Sequence, residues 1–88
     1  MDYQWDPQKA SKNYSKHRIS FADAVAVFAD DRSLTIEDDY PDEERLITIG
    51  ADAFGRVLVV VYAYREDGIR IISARKANAR ERKQYEEE

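Results

Sequence analysis

No cysteine occurs in the 88-residue sequence, which removes disulfides and thiolate metal sites and fits a reducing cytoplasm. A chain of this length sits near the lower limit for folding on a hydrophobic core alone. No apolar run approaches the ~20 residues of a membrane-spanning helix. The opening MDYQWDPQKA lacks the basic and apolar regions of a signal peptide. A single domain over residues 1–88, soluble and cytoplasmic, with no membrane partner, is the expectation. One histidine and scattered carboxylates give a metal little to bind. The acidic run EDDYPDEE, residues 37–44, lacks the ligand spacing and central glycine of an EF-hand. No metal or other cofactor is expected.

Net charge is −4, which taken whole argues against nucleic acid. Its distribution argues otherwise. Residues 1–20 carry four basic and two acidic side chains, and residues 21–54 carry two basic and ten acidic. Residues 55–83 carry eight basic against three acidic, before three glutamates close the chain. Such asymmetry makes a bipolar surface whose positive part can capture phosphates. A solvated basic helix face is the plainer alternative.

Local signals place the elements. Asp2 to Trp5 reads as a short strand, and Asp6-Pro7 as N-cap and first residue of a helix running to about Lys16. Ala10, Asn13, Tyr14 and His17 share one side of that helix, with Lys9, Lys12 and Lys16 as a neighbouring stripe. Ser20, with Asp23 three residues on, caps a second helix whose Phe21, Ala24, Val25 and Phe28 form an apolar face ending near Ala29. Leu34 to Ile36 and Arg45 to Gly50 read as strands around the acidic loop. Val57 to Tyr64, long and β-branched, reads as a strand buried on both faces. Asp67-Gly68 is expected to supply the positive φ angles of a hairpin turn into a returning strand from Ile69 to Ala74. Asn78 and Glu81 match a capping box opening a last, polar helix. Runs of strands without alternating helices predict an α+β domain built on an antiparallel sheet of four to five strands, with two N-terminal helices and one C-terminal helix.

The hairpin ends in a cluster of cations: Arg75, Lys76, Arg80, Arg82 and Lys83. WDPQKASKNYSKH, ISFADAVAVF, the pair Glu44-Arg45, IRIISARKA and ERKQYEE together resemble, in order and over nearly the whole chain, the BrnT-type toxins of bacterial type II toxin–antitoxin pairs. The resemblance implies a RelE-like fold and metal-independent RNA cleavage that arrests translation. It also implies neutralisation by a cognate ribbon-helix-helix antitoxin of BrnA type, through which alone the toxin would meet DNA. Position by position it points to Lys16-His17, Glu44-Arg45, Arg65, Arg75, and to Glu81, Arg82 and Tyr85. Arg18 stands where a glycine is usual, so the first helix is expected to lack a left-handed glycine cap. Ala63-Tyr64 stands where the family commonly has Thr-Glu, and if that glutamate moves protons in the relatives, this chain uses another base or is weaker.

Metal-free cleavage needs a proton acceptor for the 2′-hydroxyl, cations for the phosphorane and a donor for the leaving oxygen. Arg65 and Arg75, each ending a strand of one hairpin, are the expected catalytic cations, jointly gripping one phosphate. His17 and Lys16 are the candidates for proton transfer, against a purely structural histidine bonding the last carbonyls of its helix. Arg70, Lys76, Arg80 and Arg82 are expected to position phosphates, and Tyr85 to stack on a base or hold a phosphate oxygen. Tyr64 is expected to pack rather than stack on a base, Trp5 to belong to the core, and Glu44-Arg45 to form an ion pair at a strand end rather than take part in catalysis. A binding module without catalysis, serving as antitoxin partner and co-repressor, is the competing function.

Overall fold

A computed structural model describes residues 2–87. The elements run β1 (Asp2–Gln4), α1 (Pro7–His17), α2 (Phe21–Ala24), β2 (Leu34–Asp38), β3 (Arg45–Ala51), β4 (Val57–Arg65), β5 (Gly68–Lys76) and α3 (Ala79–Glu86), with α2 continuing as a 3-10 helix over Val25–Ala29. They form one five-stranded sheet in the order β1-β5-β4-β3-β2. β2 to β5 are antiparallel, as the run of strands predicts, but β1 joins the edge parallel to β5, from Asp2 beside Gly68 to Gln4 beside Arg70.

The Asp67-Gly68 expectation is corrected by that edge. The hairpin turn has two residues, Glu66 and Asp67, and the positive φ of 51° falls on Glu66. Gly68 already belongs to β5, and a Cβ there would collide with the carbonyl oxygen of Asp2. Its missing side chain is what lets β1 approach.

Side chains alternate across the sheet. Leu58, Val60, Tyr62, Ile69, Ile71 and Ala74 face one side, where they bury against Ile19, Phe21, Ala24 and Val27. Phe28 stacks on Tyr3 at 5.5 Å and meets Tyr62 edge-on at 4.8 Å, while Trp5 meets Phe21 at 6.0 Å, so the first strand and second helix close this core. Tyr62 also donates or accepts at Thr48 (2.8 Å), which pairs with Thr35 (2.9 Å), so the core's hydroxyls satisfy one another. The opposite face carries Ile47, Ile49, Val59, Val61 and the β5 arginines, by the pairings Ile47–Val61, Ile49–Val59, Arg75–Val59 and Arg70–Ala63. Register slips between Val61–Ser73 and Tyr62–Ile71, leaving Ile72 as the extra residue of a bulge. Tyr64, expected to pack, is 60 % exposed near the turn.

Asn13 fixes α1 to the sheet. Its carboxamide donates to the carbonyls of Ala74 (2.8 Å) and Ile19 (3.1 Å) and accepts the Ala74 N–H (3.2 Å). The pairing of β1 with β5 stops at Gln4–Arg70, so beyond that point Asn13 supplies what a strand would otherwise supply.

The left-handed cap of α1 survives without its glycine. Arg18 itself adopts φ 61° and ψ 27°, and its N–H reaches the Tyr14 carbonyl at 2.8 Å. A side chain in this region is strained by about 1 kcal/mol. Arg18→Gly is therefore expected to raise stability by up to about 0.5 kcal/mol, net of the glycine's extra freedom in the unfolded chain. Urea denaturation reads this as a higher midpoint at unchanged slope. A lower midpoint would show that the Arg18 guanidinium over the Tyr14 ring, 5.7 Å away, outweighs the strain.

Candidate functional site

Arg65 is the last residue of β4 and Arg75 the penultimate residue of β5. In an antiparallel hairpin those positions lie at opposite ends. Arg65 faces Gly68 across the ladder, and seven strand steps separate Gly68 from Arg75, roughly 20 Å. The expectation that both arginines grip one phosphate is corrected: the two guanidinium groups serve different ends of the sheet.

At the turn end, the acidic loop supplies a counter-ion. Arg70 Nη2 donates to both carboxylate oxygens of Glu43 at 2.9 Å, and Arg65 Nη2 lies 3.9 Å from the same carboxylate. Arg65 stays 56 % exposed on its side chain. Glu44 and Arg45 do not form the expected pair. Arg45 instead reaches Asp38, its neighbour across the β2–β3 ladder, at 3.0 and 3.1 Å, and lies 4.1 Å over the Tyr40 ring.

At the other end, Arg75 meets Glu81 in a two-pronged pair, Nη1 and Nη2 each donating at 2.8 Å. Glu81 is placed by its own helix. Its carboxylate accepts the Asn78 N–H at 2.9 Å while Asn78 Oδ1 accepts the Glu81 N–H at 2.8 Å, so the capping box of α3 also orients the arginine. The Arg75 hydrogen bond, followed by that from Asn78, holds Glu81 below the usual carboxylate range against the cost of burial. Arg75 Nη1 has a further bond to the Lys76 carbonyl at 3.3 Å. Both prongs toward Glu81 come from the Nη atoms, so Nε–H and the second Nη2 hydrogen, which together make the side-on fork of a guanidinium, have no partner among the described residues.

Lys16 and His17 close α1 and line a groove with Lys9, Lys12, Asn13, Ile72 and Ser73. Ser73 and Arg75 sit opposite Val61 and Val59, so they share a sheet face one alternation apart, about 7 Å along the strand. The fold thus brings Lys16 and His17 to the same flank of β5 as Arg75 and leaves Arg65 at the far end. None of the ion pairs among the described residues involves Lys9, Lys12, Lys16, Lys76, Arg80 or Arg82. Lys76 and Arg82 line a second cleft with Gly55, Arg56, Val57 and Ala77. Tyr85 is half-buried, and its hydroxyl donates to Asp30 Oδ2 at 2.6 Å, an oxygen that also accepts the Ala51 N–H at 2.8 Å. Those two bonds, the Ala51 one first, hold Asp30 low, and the bond to Asp30 pushes the Tyr85 phenol up. The hydroxyl of Tyr85 is therefore spent on docking α3.

Sequence reasoning missed Glu43 and Glu81 as arginine partners and Asn13 as a backbone clamp. Glu81 had a signal: the third helical position of a capping box lies close to the strand that feeds the helix. Glu43 had none, because the path of the acidic loop is set by tertiary folding.

Residues 5–81 match the family described as the ribonuclease toxin, BrnT, of type II toxin–antitoxin systems. Among solved structures, the crystal structure of the Brucella abortus ribonuclease toxin BrnT is similar at 23 % identity, over 89 % of this chain and 97 % of that one, with a TM-score of 0.66. That likeness establishes a shared fold. Comparison with curated proteins gives no match. No helix among the described residues is long and apolar enough to cross a membrane. With a family match over most of its length and the same architecture, this chain belongs to the BrnT ribonuclease toxins of type II toxin–antitoxin systems.

Proposed function

We propose that this protein is a metal-independent endoribonuclease of the cytoplasm that arrests translation, restrained by a BrnA-like antitoxin with a ribbon-helix-helix DNA-binding half. The observation that supports it is the Arg75 guanidinium, held end-on by Glu81 with its side-on fork open. A phosphate taking that fork meets a charge already fixed in place, so little ordering remains to oppose transition-state binding. In this reading the 2′-oxygen attacks the adjacent phosphorus and its proton passes to His17 or Lys16. The P–O5′ bond breaks as the other of the pair protonates the leaving oxygen. Arg75 carries the charge that builds on the non-bridging oxygens. Lys76, Arg80 and Arg82 hold flanking phosphates, with the Tyr85 ring edge beside them. Arg65 and Arg70 contact RNA at the turn end, away from the scissile bond.

The purified protein with labelled single-stranded RNA and excess EDTA tests this reading. Fragments ending in 2′,3′-cyclic phosphate and beginning with 5′-hydroxyl are the expected products, and expression without an antitoxin is expected to stop growth. A second reading has its own support, since Arg65, Arg70 and Arg75 all meet carboxylates. There the chain is an antitoxin-binding co-repressor without catalysis. A folded chain that leaves RNA intact and growth unaffected would establish it against the nuclease.

A further inference from the structure

The turn between β3 and β4 presents a side chain that the fold does not use. Phe54 is 72 % exposed, more than any other large hydrophobic residue among those described, and it has no polar atom to justify contact with water. It stands on a rigid mount. The Asp52 carboxylate, with a fully buried side chain, accepts the N–H of Phe54 (3.0 Å) and of Arg56 (2.9 Å) and the Arg56 Nε–H (2.8 Å), while Gly55, at φ 81°, closes the turn onto the Asp52 carbonyl (3.1 Å). The Arg56 guanidinium, fixed by Asp52 and Asp23, lies 5.2 Å from the Phe54 ring centroid. One face of the ring is thus backed by a cation and the other is open.

The next residue, Gly55, lines the cleft of about 250 Å³ that also holds Lys76 and Arg82. An exposed aromatic face on a fixed turn, one residue from a cleft with two cations outside the ion pairs of the described residues, matches what an unpaired nucleotide needs: a surface for its base and charges for its phosphate. Phe54 is flanked along the chain by Asp52, Ala53, Gly55 and Arg56, not by the further apolar residues of a contiguous patch that marks a protein-binding face, and this favours the nucleotide. We infer that Phe54 is a stacking platform for one unpaired base of the RNA, and that Lys76 and Arg82 take the adjoining phosphates. This inference rests on the ribonuclease reading and adds to it a base subsite one strand-end away from Arg75. Because a π-face is common to all bases, the subsite selects single strands over duplex rather than one base over another.

The test uses uncleavable 2′-O-methyl oligoadenylate, so that binding is read apart from catalysis. Phe54→Ala is expected to weaken binding about tenfold, and Phe54→Trp to retain affinity with its indole emission quenched on binding. An oligomer abasic at every position should bind wild type and Phe54→Ala alike. Replacing Lys76 and Arg82 by alanine should flatten the salt dependence by about 0.7 log units per log unit of salt for each phosphate no longer neutralised. Equal binding of oligoadenylate by wild type and a folded Phe54→Ala overturns the platform, while wild-type cleavage of ordinary RNA still stands for the enzyme. Loss of antitoxin binding in Phe54→Ala, with RNA binding intact, would assign the turn to the protein partner instead. A wild type that neither binds nor cleaves RNA overturns both readings.

Discussion

Arg75→Ala is expected to slow RNA cleavage about 10²–10³-fold, the loss that follows removal of one fixed donor to a developing oxyanion. The obstacle to reading that result is Glu81. The Glu81 carboxylate, 19 % exposed in the paired state, loses its partner with the arginine, and α3, which buries no residue of its own, loses one of its two polar attachments. Glu81→Gln separates the two roles. It weakens the attachment while leaving the guanidinium in place, so activity should stay within a few-fold of wild type if Arg75 acts on the phosphate. Equal losses in both variants would make Arg75 a docking residue for the helix. Arg75→Lys should recover little, because a point charge cannot occupy a two-donor site. Arg65→Ala, some 20 Å along the ribbon, should weaken RNA binding without lowering single-turnover rate. Single-turnover cleavage by each variant, with folding checked by circular dichroism, decides among these outcomes. A folded Arg75→Ala that cleaves as fast as wild type removes the arginine from the chemistry.

What could be read from the sequence was what is determined locally. Asp6-Pro7, Ser20 and Asn78 each announce a helix through bonds closed within three residues, and all three caps form as expected. The apolar run of β4 could only be central, and it is flanked by β3 and β5. The corrected positions share a cause: each residue has a plausible turn or charge close by, while its true partner lies far along the chain. Gly68 suits a hairpin turn by type, yet it is glycine because Asp2, sixty-six positions earlier, passes over it. Arg45 has a carboxylate next door in Glu44 but pairs with Asp38 across the ladder. Arg65 and Arg75 both end strands, and the direction reversal that defines a hairpin is enough to place them apart from the sequence alone. Their counter-ions differ in kind. Glu81 follows from helix geometry, whereas Glu43 depends on how a loop with a proline folds back, which no local rule determines.

The buried carboxylate beneath Phe54 carries the largest expected effect on stability. Asp52→Ala removes an acceptor of two backbone N–H groups and strands the Arg56 guanidinium, whose side chain is only 29 % exposed, on a 3.3 Å contact with Asp23. Two N–H groups left without their acceptor and a half-buried cation without its main partner together cost about 3 kcal/mol, a large part of the ~5–15 kcal/mol that holds a domain together. Melting should fall by roughly 12–24 °C at this size. The same carboxylate has a pH signature. Burial alone would raise its pKa, but the Arg56 side chain and the N–H groups of Arg56 and Phe54 outweigh burial and hold it low. A depressed folded pKa means the stabilisation is complete above the ordinary carboxylate range and is lost as pH falls through the folded value. Asp30 and Glu81 are shifted in the same direction, so wild type should hold its stability from neutrality to about pH 5 and lose it steeply below about pH 4. Asp52→Ala should start lower at neutral pH and lose less on acidification, since one of the three carboxylates no longer takes up a proton on unfolding. Urea titrations of both proteins at pH 7 and pH 3 measure the difference directly. Equal acid losses in the two would mean that Asp52 is protonated alike in folded and unfolded chains. The Arg56 pair could not then be what holds the turn rigid.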